Sequence, residues 1–301
     1  MSESSSGLQH KLNSATDLKS VVRTMKAMAG ANISQYEDAV HSLDDYYHTV
    51  QLGLLAYFRH SKVGSSSIKT AGNQTIINGK IGIIVIGSDQ GLVGQFNEAL
   101  VTFLNTKLIN MTAEQLFWPV GERINARLDD LALPLERSFI LPSSIDAITT
   151  LVTEMLQEIH EQQQNNHLQE VYLFFNRTLT KSQYEPTFQR ILPLDNVWQQ
   201  SFLSESWPTT SRPQLLATHQ ETFSALIGEY LFTSLFRACI ESLASENASR
   251  LIAMQRAEKN IEEIQSQLLR QYHRQRQSGI DEELSDLVGG FEALSTKADL
   301  C

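Results

Sequence analysis

Apolar positions recur in two rhythms: steps of three or four residues at both ends of the chain, and short unbroken apolar runs in the middle. Near the N-terminus, Leu8, Leu12, Ala15, Leu18, Val22, Met25, Ala29, Ile33, Tyr36, Val40, Leu43, Tyr47, Val50 and Leu54 follow one another at such steps. Their mean of about 3.5 residues is the repeat of a coiled-coil seam. Near the other end, Ile240, Leu243, Asn247, Leu251, Met254, Ala257, Ile261, Ile264, Leu268 and Tyr272 form a second stripe. It has one polar member and a mean step of about 3.6, the spacing of a helix that shows one narrow face to a partner. Arg250, Arg256, Glu258, Lys259, Glu262, Glu263 and Arg270 lie off the stripe. All seven prolines fall between Pro119 and Pro213, so neither end carries the residue that breaks helices. A helix this long with one apolar stripe needs a partner helix. The other end of the same chain supplies one, antiparallel, if the intervening domain brings the two ends together. Two separate core helices of a bundle would satisfy the same spacing.

The middle reads differently. Ile81 to Ile86 (IGIIVI) is a short apolar run rich in β-branched residues, as in a buried strand of an α/β sheet. A Gly-rich turn follows it, then a helical pattern through Glu98, Ala99, Leu100, Phe103 and Leu104. The pattern further predicts a strand at Phe117 to Val120, a helix from Glu122 to Leu131 and a third strand at Ser138 to Leu141. Beyond these come a helix from Ser144 to about His160, a polar loop at Gln162 to Asn166, and a strong strand at Val171 to Arg177 with Thr187 to Leu192 as its partner. His60 to Lys80 reads as a loop, and Trp198 to Pro213 leads into the long helix. The predicted fold class is therefore α/β: an N-terminal helix over 1–60, a domain of alternating elements over 77–210, and a C-terminal helix over 213–301.

Composition narrows the function. A formal net charge of −10 argues against a general nucleic-acid binder. Cys239 and Cys301 form neither a metal spacing nor a disulfide framework, and His160 and His167 do not make a zinc helix, so no metal is expected. The first thirty residues lack the continuous apolar core of a signal peptide, and no stretch reads as a membrane span, so a link to a membrane is expected only through partners. The turn containing Gly87, Ser88, Asp89, Gly91 and Gly94 sits where an open α/β sheet would hold a phosphate. It has no Gly-Lys-Ser/Thr ending, no dinucleotide spacing and no nucleophile elbow, and reads as a structural turn. No cofactor and no active site are expected. Charge is patterned on both arms: Lys11, Lys19, Arg23 and Lys26 stand against Asp17 alone, and Arg270, Arg274 and Arg276 precede the acidic cluster Asp281, Glu282, Glu283 and Asp286. Such bands are either a solvated face with ordinary surface pairs or a basic shaft that meets an acidic partner.

Three stretches together resemble the gamma subunit of F-type ATP synthases. They are Ser14 to Ala29 (SATDLKSVVRTMKAMA), with Met25 and Lys26 on the family's Met-Lys; Gly87 to Asn97 (GSDQGLVGQFN); and Leu243 to Leu294, with Ala244-Ser245-Glu246, Arg250, Met254, Tyr272, Arg276-Gln277 and Val288-Gly289-Gly290. The resemblance implies a long antiparallel coiled coil of the N- and C-terminal helices with an inserted Rossmann-like domain. It implies a non-catalytic rotor inside a hexamer of three alpha and three beta subunits, coupled below to an epsilon subunit and a ring of membrane c subunits. It further implies that Arg23, Met25, Lys26 and Arg250 face an acidic loop of the beta subunits, and that Arg276 and Gln277 meet a beta-subunit catch loop near the tip. Location on the cytoplasmic side of a bacterial inner membrane, peripherally, would follow. Gln90, Val93, Thr24, Arg23, His273 and Asp281 depart from the family pattern, and the first two motifs look more like its divergent alternate, or N-type, branch, proposed to pump sodium. Two rivals remain: a nucleotide-binding α/β enzyme centred on Gly87 to Gly94, and a coiled-coil scaffold.

Overall fold

The structure is a computed structural model that describes residues 5–61, 79–109, 111, 113–165, 168–180, 183–194, 207–208, 214 and 218–298. Its elements are α1 (Ser5–Ser61), β1 (Lys80–Ile86), α2 (Phe96–Leu108), β2 (Gln115–Val120), α3 (Glu122–Asp129), α4 (Ile145–Asn165), β3 (Leu168–Thr180), β4 (Gln183–Leu192) and α5 (His219–Ala298). The chain divides into two compact units, Met1–Met28 with Leu251–Cys301, and Ala29–Arg250. The long terminal helices thus belong partly to each. Most of the linker predicted over 198–213, most of the loop over 60–80, His167 and Cys301 lie outside the described residues.

In the larger unit four strands form one sheet in the order β2-β1-β3-β4, parallel except for the antiparallel β3–β4 pair. Ile81, Ile83, Val85, Phe117 and Phe174 face one side, where Leu100 and Leu104 of α2 and Ile124 and Leu128 of α3 cover them. Ile84, Ile86, Trp118, Val120, Leu173 and Phe175 face the other, against α4 and against Tyr36 of α1 and Leu235, Cys239 and Leu243 of α5. Coverage on both faces is why β1 reads as an unbroken apolar run. α1 and α5 run antiparallel here: Asp44 pairs with Arg237, and Tyr57 stacks on Phe223 at 5.1 Å. In the smaller unit the same sense appears, because partners fall on α5 as residue numbers rise on α1. Thr16 meets Gln265, Lys19 meets Glu262 and Arg23 meets Glu258.

Three local expectations change. The helix predicted to end near His160 continues to Asn165. Its polar end is held by pairs four residues apart, Gln157 to Glu161 at 2.9 Å and Gln162 to Glu158 at 2.9 Å, so the glutamines are helix rather than loop. The third strand predicted at 138–141 is a single bridge of Phe139 to Val120, with Ile140 79% exposed and Pro142 following. In the coiled-coil stripe, Leu18 and Ile264 are 58% and 50% exposed, while the half-buried positions are Lys19 and Gln265. With Lys19 and Lys26 included, the seam of α1 keeps a strict seven-residue repeat.

One sequence expectation about membranes is also adjusted. α5 contains an 18-residue stretch of mean hydropathy 1.3, enough by length and composition to span a bilayer. Residues 238–249 of the same helix are buried against this unit's own sheet and turns.

Candidate functional site: a filled crevice and a charged helix pair

Because the chain leaves β1 for β2 on one side and crosses to β3 on the other, the ends of β1 and β3 frame the crevice where open α/β sheets bind ligands. Here α5 fills it. Ser242 Oγ donates to Ile86 O at 3.2 Å, Ser245 Oγ to Asn176 O at 3.0 Å, and Ser249 Oγ to Val93 O at 2.6 Å. Steps of three and four place the serines on one helix face, and all three are buried. Small side chains let the helix backbone approach the strands and the turn after β1, and each of the three carbonyls accepts from a serine hydroxyl. Each such bond contributes about 1 kcal/mol net, whereas an orphaned carbonyl would cost roughly 1–3 kcal/mol.

The predicted Gly-rich turn is consumed by the same joint. The Ser88 N–H donates to Asn97 Oδ1 at 3.0 Å, and its hydroxyl accepts from Asn97 Nδ2 at 2.8 Å. Asp89 Oδ1 accepts from the Glu122 N–H at 3.2 Å, at the start of α3, where a carboxylate is favoured. A Cβ on Gly87 would lie 2.4 Å from Ile124 Cβ, and Gly94 has φ of +61°. Gly91 has only ordinary contacts, its nearest being Arg123 at 3.8 Å. A residue that sequence reasoning missed, Gly121, has φ of +113° and would drive a Cβ to 2.7 Å from Ser88 O. Its signal was available only as a glycine directly after a strand.

Beside the joint lies a buried ion pair. Arg250 Nη2 bonds Glu246 Oε1, with side chains 13% and 6% exposed. Arg250 Nη1 also reaches Asn247 Oδ1 at 3.4 Å, which accepts from Asn32 Nδ2 of α1 at 3.4 Å. Burial holds the Glu246 carboxyl above the usual carboxylate range, with Arg250 acting against it. Burial likewise pushes the Cys239 thiol up to about 12, which makes it inert as a nucleophile. Among the described residues there is no group of three or more His, Cys, Asp or Glu side chains placed to hold a metal.

In the smaller unit the basic band is engaged within the chain. Arg23 Nε donates to Glu258 Oε1 at 2.6 Å, Lys26 Nζ to Glu258 Oε2 at 2.5 Å, and Lys19 Nζ lies 2.9 Å from Glu262 Oε1. The hydrogen bonds from Lys26 and then Arg23 hold the Glu258 carboxyl down to about 2. Met25 is half-buried, while Arg276 and Gln277 are exposed. Followed from the Thr16–Gln265 pair, the start of the described part of α1 at Ser5 lies level with roughly residue 276 of α5. Past that level every residue from 280 to 288 is exposed, including Ile280 at 47%, Leu284 at 54%, Leu287 at 70% and Val288 at 58%. The structure thus gathers Arg23 and Lys26 on one carboxylate, places Arg250 in a separate, mostly buried pair, and leaves Arg276 and Gln277 next to the exposed stretch 280–288, where Ile280, Leu284, Leu287 and Val288 stand among four acids.

A family model described as ATP synthase matches residues 4–294. The chain is 31% identical over 220 residues to the ATP synthase gamma chain of Syntrophus aciditrophicus, covering 72% of this chain and 74% of that one. It is 24% identical to the gamma chain of Desulfitobacterium hafniense, over 95% of this chain and 98% of that one. Among solved structures it resembles the rotor of the Euglena gracilis mitochondrial ATP synthase, with a TM-score of 0.63 and 16% identity over 91% of this chain and 97% of that chain. It also resembles the central stalk and c-ring structure of Tetrahymena thermophila, with a TM-score of 0.57 and 19% identity over 79% and 99%. At such identities the structures establish the fold.

Proposed function

The chain belongs to the ATP synthase family as a gamma chain, and from this membership we infer that it is the non-catalytic central-stalk subunit, the rotor that links turning of the c-ring to catalysis on the alpha and beta hexamer. The observation that carries the mechanism is the contrast along α5, buried from 238 to 249 and exposed from 280 to 288. The crevice where an α/β enzyme would bind its ligand is occupied by the helix itself. The far stretch presents Ile280, Leu284, Leu287 and Val288 exposed among the acids Asp281, Glu282, Glu283 and Asp286, a mixed face suited to another protein. A rod whose sides differ in charge and shape favours a different conformation in each subunit it faces, and turning it changes which one is favoured.

The division into a shaft of 1–60 and 213–301 with an inserted domain of 77–210 is our reading, supported by the bounds of α1 and α5. Arg23, Met25, Lys26 and Arg250 are proposed to face the acidic loop of the beta subunits. The 58% exposure of Arg23 favours its part in this, and the near burial of Arg250 gives it the smallest area to offer. Arg276 and Gln277 are proposed to meet the beta catch loop, supported by their exposure next to the apolar end. Epsilon and the c-ring are the partners below. The subunit is peripheral to a membrane-bound rotary complex. We propose the cytoplasmic face of a bacterial inner membrane as its place, and proton or sodium as the transported ion.

Co-expression with alpha and beta subunits of the same genome, followed by size exclusion and an ATPase assay, tests the reading. The expected product has three alphas, three betas and one copy of this chain, and turns over ATP faster than alpha and beta alone. Failure of the folded chain to join such a complex would return the scaffold reading.

A further inference from the structure

We propose that Glu258 is an internal competitor for the basic pair Arg23 and Lys26, occupying in the free subunit the site that a carboxylate-bearing segment of a partner protein takes on assembly. The inference rests on the rotor reading and deepens it. Glu258 gives one oxygen to each cation, at 2.6 Å and 2.5 Å, and its side chain is only 14% exposed, so both are committed while it stays in place. The cluster nevertheless has room for another acid. Among the described residues, Lys19, Arg23 and Lys26 pair with Glu258 and Glu262, and Glu262 approaches Arg23 no closer than 3.9 Å. On a chain of net charge −10, an acidic segment is repelled by most of the surface and drawn to this surplus of cation.

The flank of the same helix specifies the rest of the partner. Leu18, Val21 and Met28 are 58%, 56% and 61% exposed and recur at helical spacing beside Arg23. The matching occupant is a helical or loop segment with carboxylates next to apolar residues. Arg23 and Lys26 are themselves 58% and 36% exposed, so exchanging one carboxylate for another on them changes the energy little, and the contact forms and releases readily. A surface handed from one copy of a partner to the next in a rotary complex needs that property.

The test uses Glu258→Gln in the full chain with purified alpha and beta subunits. The variant is expected to melt lower than the wild type when free, because the clamp between α1 and α5 is lost. It is also expected to join the complex about fivefold more tightly at low salt, with a steeper loss of affinity as salt rises. Adding Lys26→Gln should abolish the gain. A purely structural Glu258 predicts that melting temperature and affinity fall together, and an affinity equal to or below wild type overturns the proposal. Should Glu258→Gln fail to fold, Glu258→Asp keeps the charge on a shorter stem and must show an intermediate gain. A wild-type chain that joins no complex would overturn the rotor reading as well, whereas normal assembly without a gain overturns this inference alone.

Discussion

Two stretches of one helix, built on similar periodicity, do opposite things. Residues 238–249 of α5 are buried without interruption and spend their serines on the carbonyls at the ends of β1, β3 and the turn after β1. Residues 280–288 are exposed throughout, although Ile280, Leu284, Leu287 and Val288 are as apolar as the buried ones. The two ion-pair sites differ in the same way. In Glu246–Arg250 neither side chain is more than 13% exposed, while in the other site Arg23, Lys26 and Glu262 are 58%, 36% and 49% exposed around a Glu258 that is itself 14% exposed. The difference teaches that the first region is finished within the chain and the second is left for another molecule to finish.

The sharpest way to break the contrast is to remove one partner from each ion-pair site. Arg250→Met leaves the Glu246 carboxylate buried without its cation and should cost roughly 3 kcal/mol in urea unfolding. Lys19→Met, which replaces a half-exposed seam cation with an apolar side chain, should change stability by less than about 1 kcal/mol. Equal losses would mean that burial does not separate the sites. Ser245→Val comes next: it orphans Asn176 O and Thr178 Oγ1 and is expected to lower stability by about 2 kcal/mol on the same measurement.

Acid titration should act on the two carboxylates with opposite sign. The folded-state value of Glu258 is depressed to about 2, so its contribution is fully present above the ordinary carboxylate range and is lost as pH falls through that range towards 2. Glu246 is shifted upward, so folding favours its protonated form and its own term becomes more favourable as pH falls through its raised value. Thermal melts from pH 6 to 2 of the wild type and of Glu258→Gln should therefore converge at the acid end. Curves that stay parallel would show that Glu258 does not clamp the helices. The smallest effect on stability belongs to the tip: Leu284→Ser with Leu287→Ser should leave the free chain within about 0.5 kcal/mol of wild type. The same pair should reduce ATP turnover in the reconstituted complex, and unchanged turnover would mean that the apolar end is not covered by the hexamer.

Much of this architecture was legible in the residues. The apolar runs Ile81 to Ile86 and Val171 to Phe175 and the two long stripes each mark their element, because a strand or helix records its buried faces locally. What escaped was pairing at a distance. Leu18 looked like a seam residue on hydrophobicity, but the seven-residue repeat through Ala15 and Val22 puts Lys19 in the seam, and Glu262 on the opposing helix gives its charge a partner there. The glutamines after His160 read as loop because their helix is held by side-chain pairs rather than by an apolar face. Of the predicted site, the turn at Gly87 to Gly94 was visible in sequence, whereas the bond that Ser249 makes to its Val93 carbonyl was not.

By itself, then, the sequence determined that both ends are long helices, that an α/β sheet lies between them, and that basic residues gather on the arms, since each follows from short-range spacing and composition. Only the tertiary structure decided that the ligand crevice is filled, which cations already have partners, and which apolar stretch stays bare. These depend on contacts between residues as far apart as Ile86 and Ser242, 156 positions along the chain, and no local period encodes which distant backbone carbonyl a serine will reach.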